Sequence, residues 1–271
     1  MKLSALGMAM IFLFGSAIAM ADDLEDTFQR LKEAESKKDA AQVRKLAAEA
    51  SALAKKAISA PEPQAADEKE AWKARVTYAK DIEVQIEYAL FATALQTTGE
   101  AQMELFLALE QQNPRSKYIN EDALAVLLES AARRNQPDRM IAYANRLIAA
   151  AGAAQKPDNV AADAWQRKKN LLLGQGYYYL GVVSGQRNKY ADADKNLRLA
   201  LPLIAGNNAQ LGAAYFYLGV ANYNLGKMIN DRKKVMDGSR YSDESAKIQG
   251  PFQQQAWKNA QVMRNEANLM R

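Results

Sequence analysis

Apolar residues along this chain recur at intervals of three and four, the spacing of one helix face, and no stretch alternates with period two for long enough to line a strand. The pattern predicts an alanine-rich pair of helices, Leu24 to Lys37 and Ala40 to Ser59, joined near Asp39. Pro61-Glu62-Pro63 interrupts it, after which Asp67 to Thr97 reads as one long helix, rising about 1.5 Å per residue. The end of that helix, Tyr88 to Thr97, forms a hairpin with Ala101 to Gln112 across a break at Gly99, closing at Asn113-Pro114. Leu124 to Arg134 and Met140 to Ala150 make the next hairpin around Asn135-Gln136-Pro137-Asp138, with Ile141, Ala144, Leu147 and Ile148 on one face. Lys156-Pro157-Asp158-Asn159 then breaks the chain, and Asp158 or Asn159 is placed to cap the helix that holds Trp165.

Two later stretches spell almost the same thing. Tyr177-Tyr178-Tyr179-Leu180-Gly181-Val182 returns 38 residues on as Tyr215-Phe216-Tyr217-Leu218-Gly219-Val220. A near-copy at that interval marks stacked helical hairpins, each burying its apolar face against the next. The first copy runs on through Lys189-Tyr190-Ala191-Asp192-Ala193 to Leu197 and Ala200, a second helix with a small apolar stripe. After the second copy, Gly226 marks a turn, and the charged stretch from Asn230 to Ser242, with Gly238 inside it, reads as a distorted or interrupted helix. Gly250-Pro251 opens a terminal capping helix, Pro251 to Leu269. Gly181 and Gly219 have a physical task here, because a position without a side chain lets a facing helix approach closely.

Tyr177-x2-Leu180-Gly181 followed by Ala193-x3-Leu197-x2-Ala200 resembles the tetratricopeptide repeat, whose pattern is W-x2-L-G-x2-Y and then A-x3-F. Ser184 stands at the second aromatic position, Pro202 comes early, and in the second copy Tyr223 arrives one residue late. The resemblance is specific over 172–226 and weaker back to residue 84. It implies an all-α fold, a right-handed superhelical array of antiparallel hairpins (a TPR-like α-solenoid), in which the first helix of each hairpin lines a concave groove. Counted from the motif aromatic, the groove positions become Gln175, Tyr178, Val182 and Gln186, then Phe216, Val220, Tyr223 and Asn224, with Arg133 at the equivalent place upstream. Aromatics beside amides suit an extended peptide or a partner helix. The lysine, asparagine and arginine set with which some members grip a terminal carboxylate is not at these positions. The same rings could instead pack between repeats, since aromatic stripes on helices are usually core.

Residues 1–21 read as a signal peptide rather than as part of the fold. Lys2 precedes an apolar run from Leu3 to Ile18, and Ala19-Met20-Ala21 is a small-x-small site, so cleavage is expected after Ala21. An uncleaved anchor is the alternative, opposed by a run shorter than the roughly 20 residues a spanning helix needs. With no cysteine in the chain, neither a lipid tether at the cleavage point nor a disulfide is available. The expected location is therefore the periplasm of a bacterium, or full secretion. The mature chain divides into an N-terminal helical pair, 22–60, and a TPR-like repeat domain, 64–271, capped by helix 251–269.

Charge changes the picture little. The net charge of +5 falls to +4 once Lys2 is removed, and the basic runs Arg167-Lys168-Lys169 and Arg232-Lys233-Lys234 carry no interleaved aromatics, so they read as solvated helix faces and nucleic acid is not expected as a partner. Histidine is absent as well as cysteine, which removes the commonest general base, the thiolate nucleophile and the usual zinc and haem ligands. Asp192-x-Asp194-x-Asn196 begins like a calcium loop, but Leu197 stands where glycine is needed and Leu203 where the bidentate glutamate is needed. Asp192 and Asp194 are expected to face water while Ala193, Leu197 and Ala200 face inward. Gly226-Lys227-Met228 lacks the spacing and hydroxyl of a phosphate loop. The expected function is a non-enzymatic envelope scaffold for a protein or peptide, with no cofactor and no metal. The alternatives are a module that stacks a glycan on Tyr177, Tyr178, Tyr215 and Phe216, and a carboxylate hydrolase.

Overall fold

The computed structural model describes residues 23–270, so the leader expected over 1–21 lies outside the described residues. Among them there are eleven α-helices and no strand. In chain order they are α1 (23–36), α2 (Ala40–Ile58), α3 (Ala66–Leu95), α4 (Gly99–Gln112), α5 (Glu121–Arg133), α6 (Pro137–Ala153), α7 (Ala162–Gln186), α8 (Tyr190–Ala200), α9 (Asn208–Met228), α10 (Arg232–Ala246) and α11 (Gln253–Leu269). Sequential packing gathers them into two compact units, one ending at Ile119 and one beginning at Asn120.

Four of the hairpins turn in the same way. Lys38, Asn135, Asn188 and Asn230 have left-handed backbone, with φ of 56°, 49°, 57° and 53°. In each case the next residue donates its N–H to a carbonyl five positions back: Asp39 to Ala34, Gln136 to Ala131, Lys189 to Ser184 and Asp231 to Gly226, at 2.8 to 3.0 Å. This bond closes the first helix of the pair, and asparagine at three of the four positions fits, because it tolerates left-handed backbone better than other non-glycine residues. The acceptors are all small, Ala34, Ala131, Ser184 and Gly226, since the second helix starts directly against them. At Gly226 an added Cβ would lie 2.7 Å from Val235 Cγ2 and 2.9 Å from Asp231 O.

In the first unit, α2 packs on α3 across the Pro61-Glu62-Pro63 stretch, and α4 packs on both. α3 buries Ile82, Ile86, Leu90 and Ala94 on the inner side, while Tyr118 stacks on Phe91 with centroids 5.2 Å apart. In the second unit α5 to α10 form three hairpins, and the first helices pack in succession, α5 on α7 and α7 on α9. α11 follows, packed on α10 and α9.

The two motif glycines sit at helix crossings. A Cβ on Gly181 would run into the Leu197 side chain and lie 3.1 Å from Leu197 N; one on Gly219 would run into Ser242 Oγ and lie 3.1 Å from Gly238 O. The inward stripe of α8 is Ala193, Leu197 and Ala200, all fully buried.

The structure corrects three local expectations. Residues 232–246 form the uninterrupted helix α10, begun by Asp231, whose side chain accepts from Lys234 N at 3.1 Å. Gly238 is not a break: a Cβ there would stand 2.8 Å from Tyr223 N, so glycine lets α10 lie against α9. Gly226 lies within α9 rather than at the turn, which belongs to Asn230; turn to turn the repeat is 42 residues, four more than the near-copy, so α9 carries about one extra helical turn past its motif. Neither Asp158 nor Asn159 caps α7, which starts after Ala161 with no side-chain cap. Lys156 Nζ instead donates to Pro157 O at 2.9 Å and Val160 O at 3.0 Å and satisfies that loop.

Candidate functional site

Along α5, α7 and α9, which pack in succession, lie the residues singled out by the groove count. Gln175 is half-buried and its amide donates to Ala125 O of α5 at 3.2 Å, so it ties two neighbouring helices. Val182 is buried and belongs to the core with Leu197, Ala200, Ile204, Ala214 and Leu218. Gln186 is exposed at the end of α7. Val220 is half-buried, and Asn224 donates to Val220 O of its own helix at 2.8 Å. Tyr223 reaches Glu266 Oε1 of α11 at 2.9 Å. Arg133 is exposed and donates to Glu129 Oε1 at 3.2 Å.

The two motif aromatics have different neighbours. Tyr178 packs against the α7/α8/α9 core and meets Tyr179 edge-on, centroids 5.1 Å apart. Burial pushes its hydroxyl up to about 12, with Tyr217 and Glu129 adding to the effect. Phe216 lies 4.8 Å from Phe252. Tyr215, one of the rings considered for a glycan, stacks instead on Tyr241 of α10, centroids 6.2 Å apart and rings 20° from parallel.

Three aromatics that pack among these helices were missed by the count. Tyr179 donates to Glu129 Oε2 of α5 at 2.7 Å, and burial together with that bond holds its hydroxyl far above the ordinary tyrosine range. Tyr217 crosses α7 where Gly185 leaves room, since a Cβ on Gly185 would be 2.6 Å from Tyr217 Cδ1. Phe252 closes over Phe216 and lies 5.7 Å from the Tyr217 ring. Tyr179 and Tyr217 are the third aromatic of each near-copy, which a count at groove spacing passes over, while nothing in the sequence signals Phe252.

A polar network centred on the buried Asn222 amide joins α8, α9 and α10. Asn222, fully buried, donates to Asp194 Oδ1 at 2.6 Å and to Leu218 O at 2.9 Å, and accepts from Arg198 Nη2 at 3.1 Å. Arg198 also bonds Asp194 Oδ1 at 2.8 Å and Tyr241 Oη at 2.7 Å. Asp194 is thus half-buried and bonded, while Asp192 faces water as expected. Of the basic run on α7, Arg167 pairs with Asp163, Lys168 with Asp122 and Glu121, and Lys169 donates to Gly152 O.

No grouping of three or more acidic side chains suited to a metal ion occurs among the described residues. No described helix is long and apolar enough to cross a membrane. The chain matches no known family model and no curated protein.

Proposed function

We propose that the chain is an exported TPR-like scaffold without catalysis of its own, which holds a protein or peptide partner along α5, α7 and α9 in the cell envelope. The observation that supports this reading most is the run of half-buried rings, Tyr178 on α7, Phe216 and Tyr217 on α9 and Phe252 just before α11, with the exposed amide of Gln186 at the end of α7. Large amphipathic rings flanked by polar groups are what a partner helix or extended segment anchors on. Successive first helices are in contact, α5 on α7 and α7 on α9, and a tetratricopeptide-like groove would run along them. The leader-like residues 1–21 support export, and the absence of cysteine argues against a lipid tether.

Chemical crosslinking in the native envelope, followed by identification of captured species, tests the proposal. A recurrent protein partner is expected, and the double variant Tyr178→Ala, Phe216→Ala should lose it while keeping its helical circular dichroism. Undiminished capture by the folded double variant defeats the assignment of the face. Wall fragments captured in place of any protein would favour the glycan reading.

A further inference from the structure

The geometry points to a second binding site, on α2 and α4 of the first unit, for a free amphipathic monocarboxylate: an apolar chain ending in one acidic head. The two helices leave between them a cavity of ≈ 690 Å³, with Leu90 of α3 among its lining residues. That lies within the roughly 300–1,000 Å³ typical of small-ligand sites, which are mostly apolar with a few placed polar groups. Six of the thirteen lining residues are apolar, and they gather along the middle of the groove between the polar ones. Ala47, Ala48 and Ala52 of α2 face Leu107 and Ala108 of α4, so small side chains leave open a seam that larger ones would fill. From Arg44 to Lys55 the groove runs eleven residues along α2, about 16 Å at the helical rise.

Charge gives the groove a direction. At one end Arg44 is paired with Glu104, which cancels its charge. Lys45, next to it, pairs with Glu49 at 3.9 Å; toward the other end Lys55 lines the groove with no ion pair among the described residues, and Gln111, also lining it, has no hydrogen bond among them. Ser51 lies on the same side of α2, one turn before Lys55. It is 6% exposed, lines the cavity, and its hydroxyl has no hydrogen-bond partner. A buried hydroxyl without a partner is a cost that a fold rarely carries without return. An acidic head at the Lys55 end would meet a free cation, a free amide and this hydroxyl, while its chain covers the alanines.

Calorimetric titration of the purified protein with dodecanoate, dodecyltrimethylammonium and dodecyl maltoside, each below its micelle concentration, tests the site. Dodecanoate should bind saturably at one per chain, and the cationic and neutral analogues at least tenfold more weakly. Ala52→Trp, at an exposed position, should abolish binding by filling the groove. Lys55→Glu, a surface change that leaves the packing alone, should weaken it at least tenfold, and Lys55→Arg should retain it. No saturable binding below 1 mM (on the order of the weak limit of specific recognition), equal affinity for the cationic chain, wild-type binding by either Ala52→Trp or Lys55→Glu, or binding only to anionic phospholipid vesicles would overturn the proposal.

Discussion

At the residue scale, glycines inside helices carry most of the information. A glycine costs a helix about 1 kcal/mol relative to alanine, so one that sits in mid-helix calls for a packing reason. That reasoning placed Gly181 and Gly219 at crossings, where the structure has them. It failed at Gly238, because its surroundings, Ser239, Ser242 and Ser245, look like a polar loop in sequence yet are buried against neighbouring helices. Gly238→Ala should therefore destabilise the protein by about 1–3 kcal/mol, since its Cβ would meet backbone of α9 that cannot give way. Gly206→Ala, in open space, should stabilise it by about 0.4–1 kcal/mol. Urea unfolding of the two variants separates them. Tyr178 supplies a pH test. Its hydroxyl is raised to about 12 in the fold, against about 10 in an unfolded chain, so the folded state favours the neutral ring. The stability this contributes is whole below pH 10 and is lost as pH rises from there through 12. Between those limits the melting temperature of Tyr178→Phe should fall less steeply than that of the parent protein.

At the element scale, helix positions were readable and hairpin register was not. Predicted ends such as Ala40 to Ser59 and Asp67 to Thr97 fall within a few residues of α2 and α3, because proline, glycine and the apolar period mark them. The 42-residue spacing from Asn188 to Asn230 was hidden behind the 38-residue near-copy, since the eye follows aromatics while the turn follows asparagine. Aligning the chain on the second residue after each first helix, Lys38, Asn135, Asn188 and Asn230, exposes it. Tyr223 comes one residue late because Asn222 takes the inward place and uses its amide to join α8 to α9. Asn222→Ala should cost about 1–3 kcal/mol, because the fully buried amide that bonds Asp194, Arg198 and Leu218 O is lost. A double-mutant cycle with Asp194→Ala should show coupling rather than additivity.

At the scale of the whole molecule, each unit relies on helix packing, with no cysteine available to staple it. Chelators and reducing agents should accordingly leave the thermal melting curve unmoved, and a shift of several degrees with chelator would reveal a metal contribution. Of the proposed partner face, the aromatics of α7 and α9 lay open to reading because the near-copied motif marks them. Glu129 and Phe252 did not, since they come from helices more than thirty residues away from the nearer motif, and only packing brings them to it. The central claim concerns which side of the second unit meets a partner. A photo-reactive phenylalanine analogue placed at Gln186, on the proposed face, or at Leu199, exposed on α8, and irradiated in intact cells tests it most directly. A discrete protein adduct from position 186 and none from 199 is the predicted result. Adducts of equal yield from both positions, or from 199 alone, would contradict it.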